Sequence, residues 1–142
     1  MASQNFTHLA DHLARGLVNY AGGDIKGLLV SAAPTEAQLD NWVWRSDVTI
    51  EAVGTGYEAG GFAVTAAIGS VDVANNQVGV TFAAATPAYA EVEITAVGCI
   101  LYQSTGDAGA DPLLHYVDFG SEVVVSGGPL IVTFTTPFNL SA

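Results

Sequence analysis

A period of two constrains this chain more than any other feature. Short stretches in which apolar and polar residues alternate occupy residues 48–53, 61–67, 71–74, 78–83, 91–103, 113–119, 122–126 and 130–135. Alternation of this kind turns every second side chain to the same side of an extended strand. Short strands recurring about every ten residues are the mark of an antiparallel sandwich or barrel. Asn75-Asn76 and Gly127-Gly128 lie between such stretches and tolerate the positive φ of tight turns, so each predicts a hairpin.

The N-terminus reads differently. Phe6, Leu9, Ala10, Leu13 and Leu17 fall at three- and four-residue spacing, Ser3 or Asn5 can cap, and Gly16 can terminate, which predicts a helix over residues 3–16. Residues 17–20 and 25–31 then read as strand, turn, strand. Residues 33–40 connect, with one helical turn, to Trp42-Val43-Trp44. The expected fold is mainly β: a single domain over residues 1–142, with the N-terminal helix in 1–16. Residues 17–142 form an antiparallel β-sandwich of immunoglobulin-like or jelly-roll-like type. A length of 142 residues suits one core.

Residues 91–103 predict their own burial. Val92, Ile94 and Ala96 alternate with Glu91, Glu93 and Thr95, but Cys99, Ile100, Leu101 and Tyr102 are apolar toward both faces, so something must cover the second half. The N-terminal helix or a partner subunit is expected to do so. Cys99 has no second cysteine to pair with and reads as a buried small hydrophobe.

Charge excludes several functions. Arg15, Lys26 and Arg45 are the only Lys and Arg residues, whereas residues 51–142 carry nine carboxylates and no Lys or Arg, and the chain totals −11. Nucleic-acid binding works by Lys and Arg displacing condensed counterions, and anionic membranes attract the same residues. Neither partner is expected. The acidity serves solubility or orients the molecule on a basic surface. No apolar run approaches the roughly 20 residues of a membrane span, and the first residues lack a secretory pattern. A chain made and used without Sec export is expected, in which the sequons at Asn5 and Asn139 carry no meaning.

Candidate chemistry is sparse. The stretch from Val53 to Ala59 fits a loose dinucleotide fingerprint, but strand-like Phe62, Val64 and Thr65 follow where a helix is needed, so a glycine-rich loop is expected. His8 and His12 share a helical face without an evident third metal ligand. Asp107, Asp111 and Asp118 do not match calcium-loop spacing. Glu91 and Glu93 read as solubilising. No nucleophile elbow or phosphate loop is visible. No catalytic, cofactor-binding or metal-ligating residues are assigned, and no cofactor is expected. Trp42 and Trp44 read as one face of a strand, able to anchor an interface or stack on sugars.

Several segments resemble a family of small bacteriophage virion structural proteins, described as head or capsid decoration proteins. The matching pieces are Asp24 to Ser31, Trp42 to Asp47, Ala52 to Gly61, Cys99 to Tyr102 and Asp111 to Gly120, of which Gly-Thr-Gly-Tyr-x-Ala-Gly-Gly and Tyr-Val-Asp-Phe-Gly are the specific strings. Where the family tends to have a polar residue entering the Cys99 strand, this chain has Ala96 and Val97. The resemblance implies a non-enzymatic role in the phage particle, without saying whether in the head, the head–tail joint or the tail. The scarcity of Lys and Arg suits the DNA-facing lumen poorly, so a chain made in the bacterial host cytoplasm and placed on the outer capsid surface is expected. Its expected partners are the major capsid protein, other virion proteins and sister copies, with a trimer as one arrangement. Phe6, Leu9, Leu13, Leu17, Trp42 and Trp44 are the expected protein interface. The alternatives are a tail or head–tail connector component and a carbohydrate-binding module using Trp42, Trp44, Tyr57 or Tyr89. An enzyme such as a glycan hydrolase is a third class.

Overall fold

The structure is a computed structural model describing residues 2–135 and 137–141. Met1, Thr136 and Ala142, part of the span read as one domain, lie outside the described residues. Its strands are β1 (Gln4–Asn5), β2 (Ile25–Val30), β3 (Phe62–Asp72), β4 (Gln77–Ala84), β5 (Tyr89–Gln103), β6 (Leu113–Leu130) and β7 (Phe138–Ser141). Two short helices, α1 (Leu9–Ala14) and α2 (Glu36–Asn41), accompany them.

All the strands pair antiparallel in one nearly closed sheet of order β1-β6-β5-β2-β3-β4-β7. The sheet rolls until His115 on β6 stacks on Phe138 of β7, with ring centroids 4.2 Å apart. Ile25, Leu29, Phe62, Val64, Val80, Phe82, Val92, Ile94, Cys99 and Leu101 belong to the cluster inside this roll. Leu28, Val30, Ile100, Tyr102, Leu113 and Tyr116 make a second cluster on the other side of β2, β5 and β6. The two clusters explain why residues 99–102 are apolar toward both faces.

The cover over the outer cluster differs from the expected one. Phe6, Leu39 of α2, Trp42, Val48 and Ile50 pack there, while α1 contributes Leu9 to the inner core. The segment from α2 to Ile50 therefore does what the N-terminal helix was expected to do. Thr35 starts α2 with a reciprocal capping box: its hydroxyl accepts from Gln38 N–H, and its own N–H donates to the Gln38 side chain.

The helix expected over 3–16 is limited to Leu9–Ala14. Gln4 and Asn5 instead pair with Tyr116 and His115, and Phe6 N–H donates to the Leu114 carbonyl at 3.1 Å. A short isolated helix is marginal in water, and here strand pairing with burial of Phe6 wins its first turn. Gly16 follows the helix as expected, with φ +71°.

Turn chemistry succeeded once and failed once. Asn76 sits at φ +53° between β3 and β4, which form the expected hairpin. Gly127-Gly128 turns nothing: both lie within β6, and Gly128 faces Val92 across the ladder. The stretches at 113–119 and 122–126 are thus one strand, whose long pairing with β5 is broken by bulges. Residues 17–20 and 48–53 form no strand; the latter contribute only a bridge from Glu51 to Val30. β2 pairs with β3 and β5, so the hairpin expected at 17–31 is absent.

Candidate functional site

The expected interface residues do not form one surface. Phe6 is 1% exposed and Leu9 4% exposed, so both serve the chain's own core and are withdrawn as contact residues. Leu13 and Leu17 are exposed at the end of α1 and just beyond it. Trp42 and Trp44, expected to share a strand face, do not: Trp42 caps α2 and packs on the outer cluster, whereas Trp44 lies over the His12 ring at 5.2 Å. The Asp47 carboxylate fixes this bend by accepting the Val43 and Trp44 N–H groups, both at 3.0 Å. Removing residues 1–16 would strip β1 and Phe6 from the fold, so point changes at Leu13 and Leu17 are the cleaner probe of that surface.

The glycine-rich stretch from Val53 to Gly61 is a strap laid across the sheet. At Gly56 and Gly61, φ is +83° and +85°, and an added Cβ would collide with the carbonyl oxygens of Glu91 and Gly27 respectively. Tyrosine hydroxyls fasten the strap: Tyr102 donates to the Gly60 carbonyl, and Tyr89 donates to that of Gly61 at 2.7 Å. Tyr57 accepts from Leu29 N–H at 2.9 Å and donates to Glu51 at 2.7 Å, and Gly60 N–H donates to the same carboxylate oxygen. Burial raises the Tyr57 and Tyr89 hydroxyl pKa values. Both rings are half-buried and meet edge-to-face at 5.6 Å, an arrangement of packing.

The titratable candidates are likewise dispersed. Asp111, 2% exposed, accepts from Arg45 at 3.2 Å and from the Thr105 N–H and hydroxyl, while the Arg45 guanidinium lies 5.5 Å from the Tyr102 ring centre. Asp107 accepts from Gly109 N–H, and Asp118 accepts from Gly120 N–H. Among the described residues no three His, Cys, Asp or Glu side chains gather as a metal site. His12 is buried, with Nε2 3.2 Å from the Val43 carbonyl, and burial lowers its pKa. Cys99 is fully buried, and burial pushes its thiol up. Glu91 and Glu93 are exposed.

His115 was unassigned by sequence beyond its distance from His8 and His12. It is fully buried between Asn5 Oδ1, 2.8 Å from its Nδ1, and the Tyr20 hydroxyl, 2.9 Å from its Nε2. An amide oxygen only accepts, so the neutral ring carries its proton on Nδ1 and takes the Tyr20 proton at Nε2. Burial pushes its pKa down to about 3. This network joins β1, β6 and the loop before β2.

A concavity lies where the rolled sheet stops short of closure. A cleft of about 610 Å3 runs between the β1/β6 side, with Ser3, Asn5, Val117 and Phe119, and the chain entering β7, with Val132, Phe134 and Phe138. Asp118 is the one charged residue in its lining. The strand signal at 130–135 pointed here but was assigned a hairpin partner. β5 begins at Tyr89, which pairs with Leu130, so the ladder runs out before residue 131.

The chain matches no protein-family model, no curated protein and no solved structure. The virion family that its motifs resemble therefore enters as a proposal.

Proposed function

We propose that this chain is a non-enzymatic structural protein of a bacteriophage particle, a decoration or cement protein on the outer surface of the head. The observation that carries the reading is the charge field: nine carboxylates and no Lys or Arg across residues 51–142, on a chain of net charge −11. Packaged DNA would repel such a surface, whereas an outer capsid face need not present phosphate to it. The strings that carry the resemblance also support a scaffold role. Gly54 to Gly61 straps the sheet, Asp111 anchors Arg45, and His115 bonds inside the roll.

In this reading the partners are the major capsid protein and sister copies, as a trimer at local threefold positions, with repeated weak contacts adding by avidity. Leu13, Leu17 and Trp44 supply apolar contact, and nucleic acid and membrane supply none. The proposal extends to architecture. Flattened, the roll would act as the immunoglobulin-like or jelly-roll-like sandwich that its strand spacing predicts, with β2, β5 and β6 facing β3, β4 and β7.

Particles of the encoding phage, labelled with an antibody against the chain, should carry label over their heads. Leu13→Asp combined with Leu17→Asp, at positions 36% and 39% exposed, should lower folding stability by about 1 kcal/mol each and leave the chain folded. Head occupancy should nevertheless fall about ten-fold, a loss of about 1.4 kcal/mol in binding. Label confined to tails, or full occupancy by the double variant, would count against the assignment.

A further inference from the structure

The chain from Ile131 to Thr135 is built like a strand yet has no ladder. Val132 is buried and Phe134 half-buried, while Ile131, Thr133 and Thr135 are exposed, the alternation of a sheet edge. Among the described residues, no backbone N–H or C=O of 131–135 is hydrogen-bonded to the protein. Unpaired groups in such a row are a template for another strand. Opposite them, across the cleft, β1 is the terminal strand of the sheet, paired in the ladder with β6 through Gln4 and Asn5. Five residues of strand span about 17 Å.

We propose that this cleft is an acceptor for one extended segment of a different, basic polypeptide, which adds as a strand along 131–135 and fills the seam of the roll. Main-chain hydrogen bonds would supply affinity, and alternate apolar side chains would enter between Val117, Phe119 and Phe134. Charge selects the partner. Every Lys and Arg of this chain precedes residue 51, the cleft is lined beyond that point by a Lys- and Arg-free sequence, and Asp118 is its one charged lining residue. A second copy at −11 is therefore a poor occupant, and a strand flanked by Lys or Arg is a good one. The inference concerns the cleft alone and holds whether or not the chain belongs to a virion.

The test uses the full chain, labelled with 15N, and a synthetic peptide of alternating valine and threonine with a lysine at each end. At saturating peptide, amide exchange at alternate positions within 131–135 should slow about ten-fold or more. N-methylation of the peptide amides that face the chain should abolish the effect, while methylation of the opposite set should not. A peptide ending in glutamates should bind about ten-fold more weakly at low salt. The proposal is overturned by unchanged exchange at millimolar peptide, by equal binding of both methylated sets, or by equal binding of the glutamate-ended peptide. Protection that appears on raising protein concentration without peptide would identify a second copy as the occupant and overturn it equally.

Discussion

His115 is the residue at which burial and chemistry meet most directly. Its pKa is about 3 in the fold against 6.5 when solvated, so between these values the unfolded chain binds the extra proton. Stability is then fully present above pH 6.5 and falls as pH drops toward 3, by an amount on the order of 3–5 kcal/mol. Urea unfolding at a series of pH values checks this. His115→Phe should flatten much of that slope while lowering stability at pH 7, because the buried Tyr20 hydroxyl loses its partner at a cost of about 1–3 kcal/mol. A slope unchanged in the variant would place the titration elsewhere. Gly61→Ala should cost at least about 2 kcal/mol in thermal or urea unfolding, since the new methyl would meet the Gly27 carbonyl at a φ that alanine disfavours. The glycines of the strap were legible in sequence as a loop. Their purpose was not, because close approach to Gly27 and Glu91 depends on strands far away in the chain.

At the scale of elements, the period-two signal located β3 through β6, because alternation records which face meets the core, but it divided β3 into 61–67 and 71–74 and β6 into 113–119 and 122–126. It also fixed the β3–β4 hairpin, where Asn76 supplies the turn. What it could not fix was pairing. Gly127-Gly128 looks like a turn in isolation, yet β5 is long enough to pair past it as far as Tyr89. The N-terminal stripe misled for a related reason: Phe6, Leu9, Leu13 and Leu17 fit helical spacing, but the unpaired edge of β6 competes for Gln4 and Asn5. Of the expected interface set, only the exposure of Leu13 and Leu17 and the half-burial of both tryptophans survive as surface. The cover over the outer cluster makes its own prediction. Leu39 is 2% exposed against Leu28, Ile100 and Tyr102 of that cluster, so Leu39→Ala should destabilise by about 2–4 kcal/mol in urea unfolding. A change below about 0.5 kcal/mol would mean that α2 is not holding that face.

For the whole molecule, the roll closes around an apolar centre, every Asp, Glu, Lys or Arg after Arg45 is acidic, and one seam has Asp118 as its single charged lining residue. That distribution was partly visible in sequence as the absence of cations after Arg45; the seam was not, since it arises only when the two ends of the sheet approach each other. Net acidity favours solubility and separation from polyanions, which is what the proposed scaffold role requires. Cryo-electron microscopy of the intact particle tests this most directly. The rolled sheet should appear at the outermost radius of the head, at a fixed multiple of the capsid subunits and separated from the genome by the shell. Density for the chain against packaged DNA, or a particle that lacks it altogether, would contradict the account.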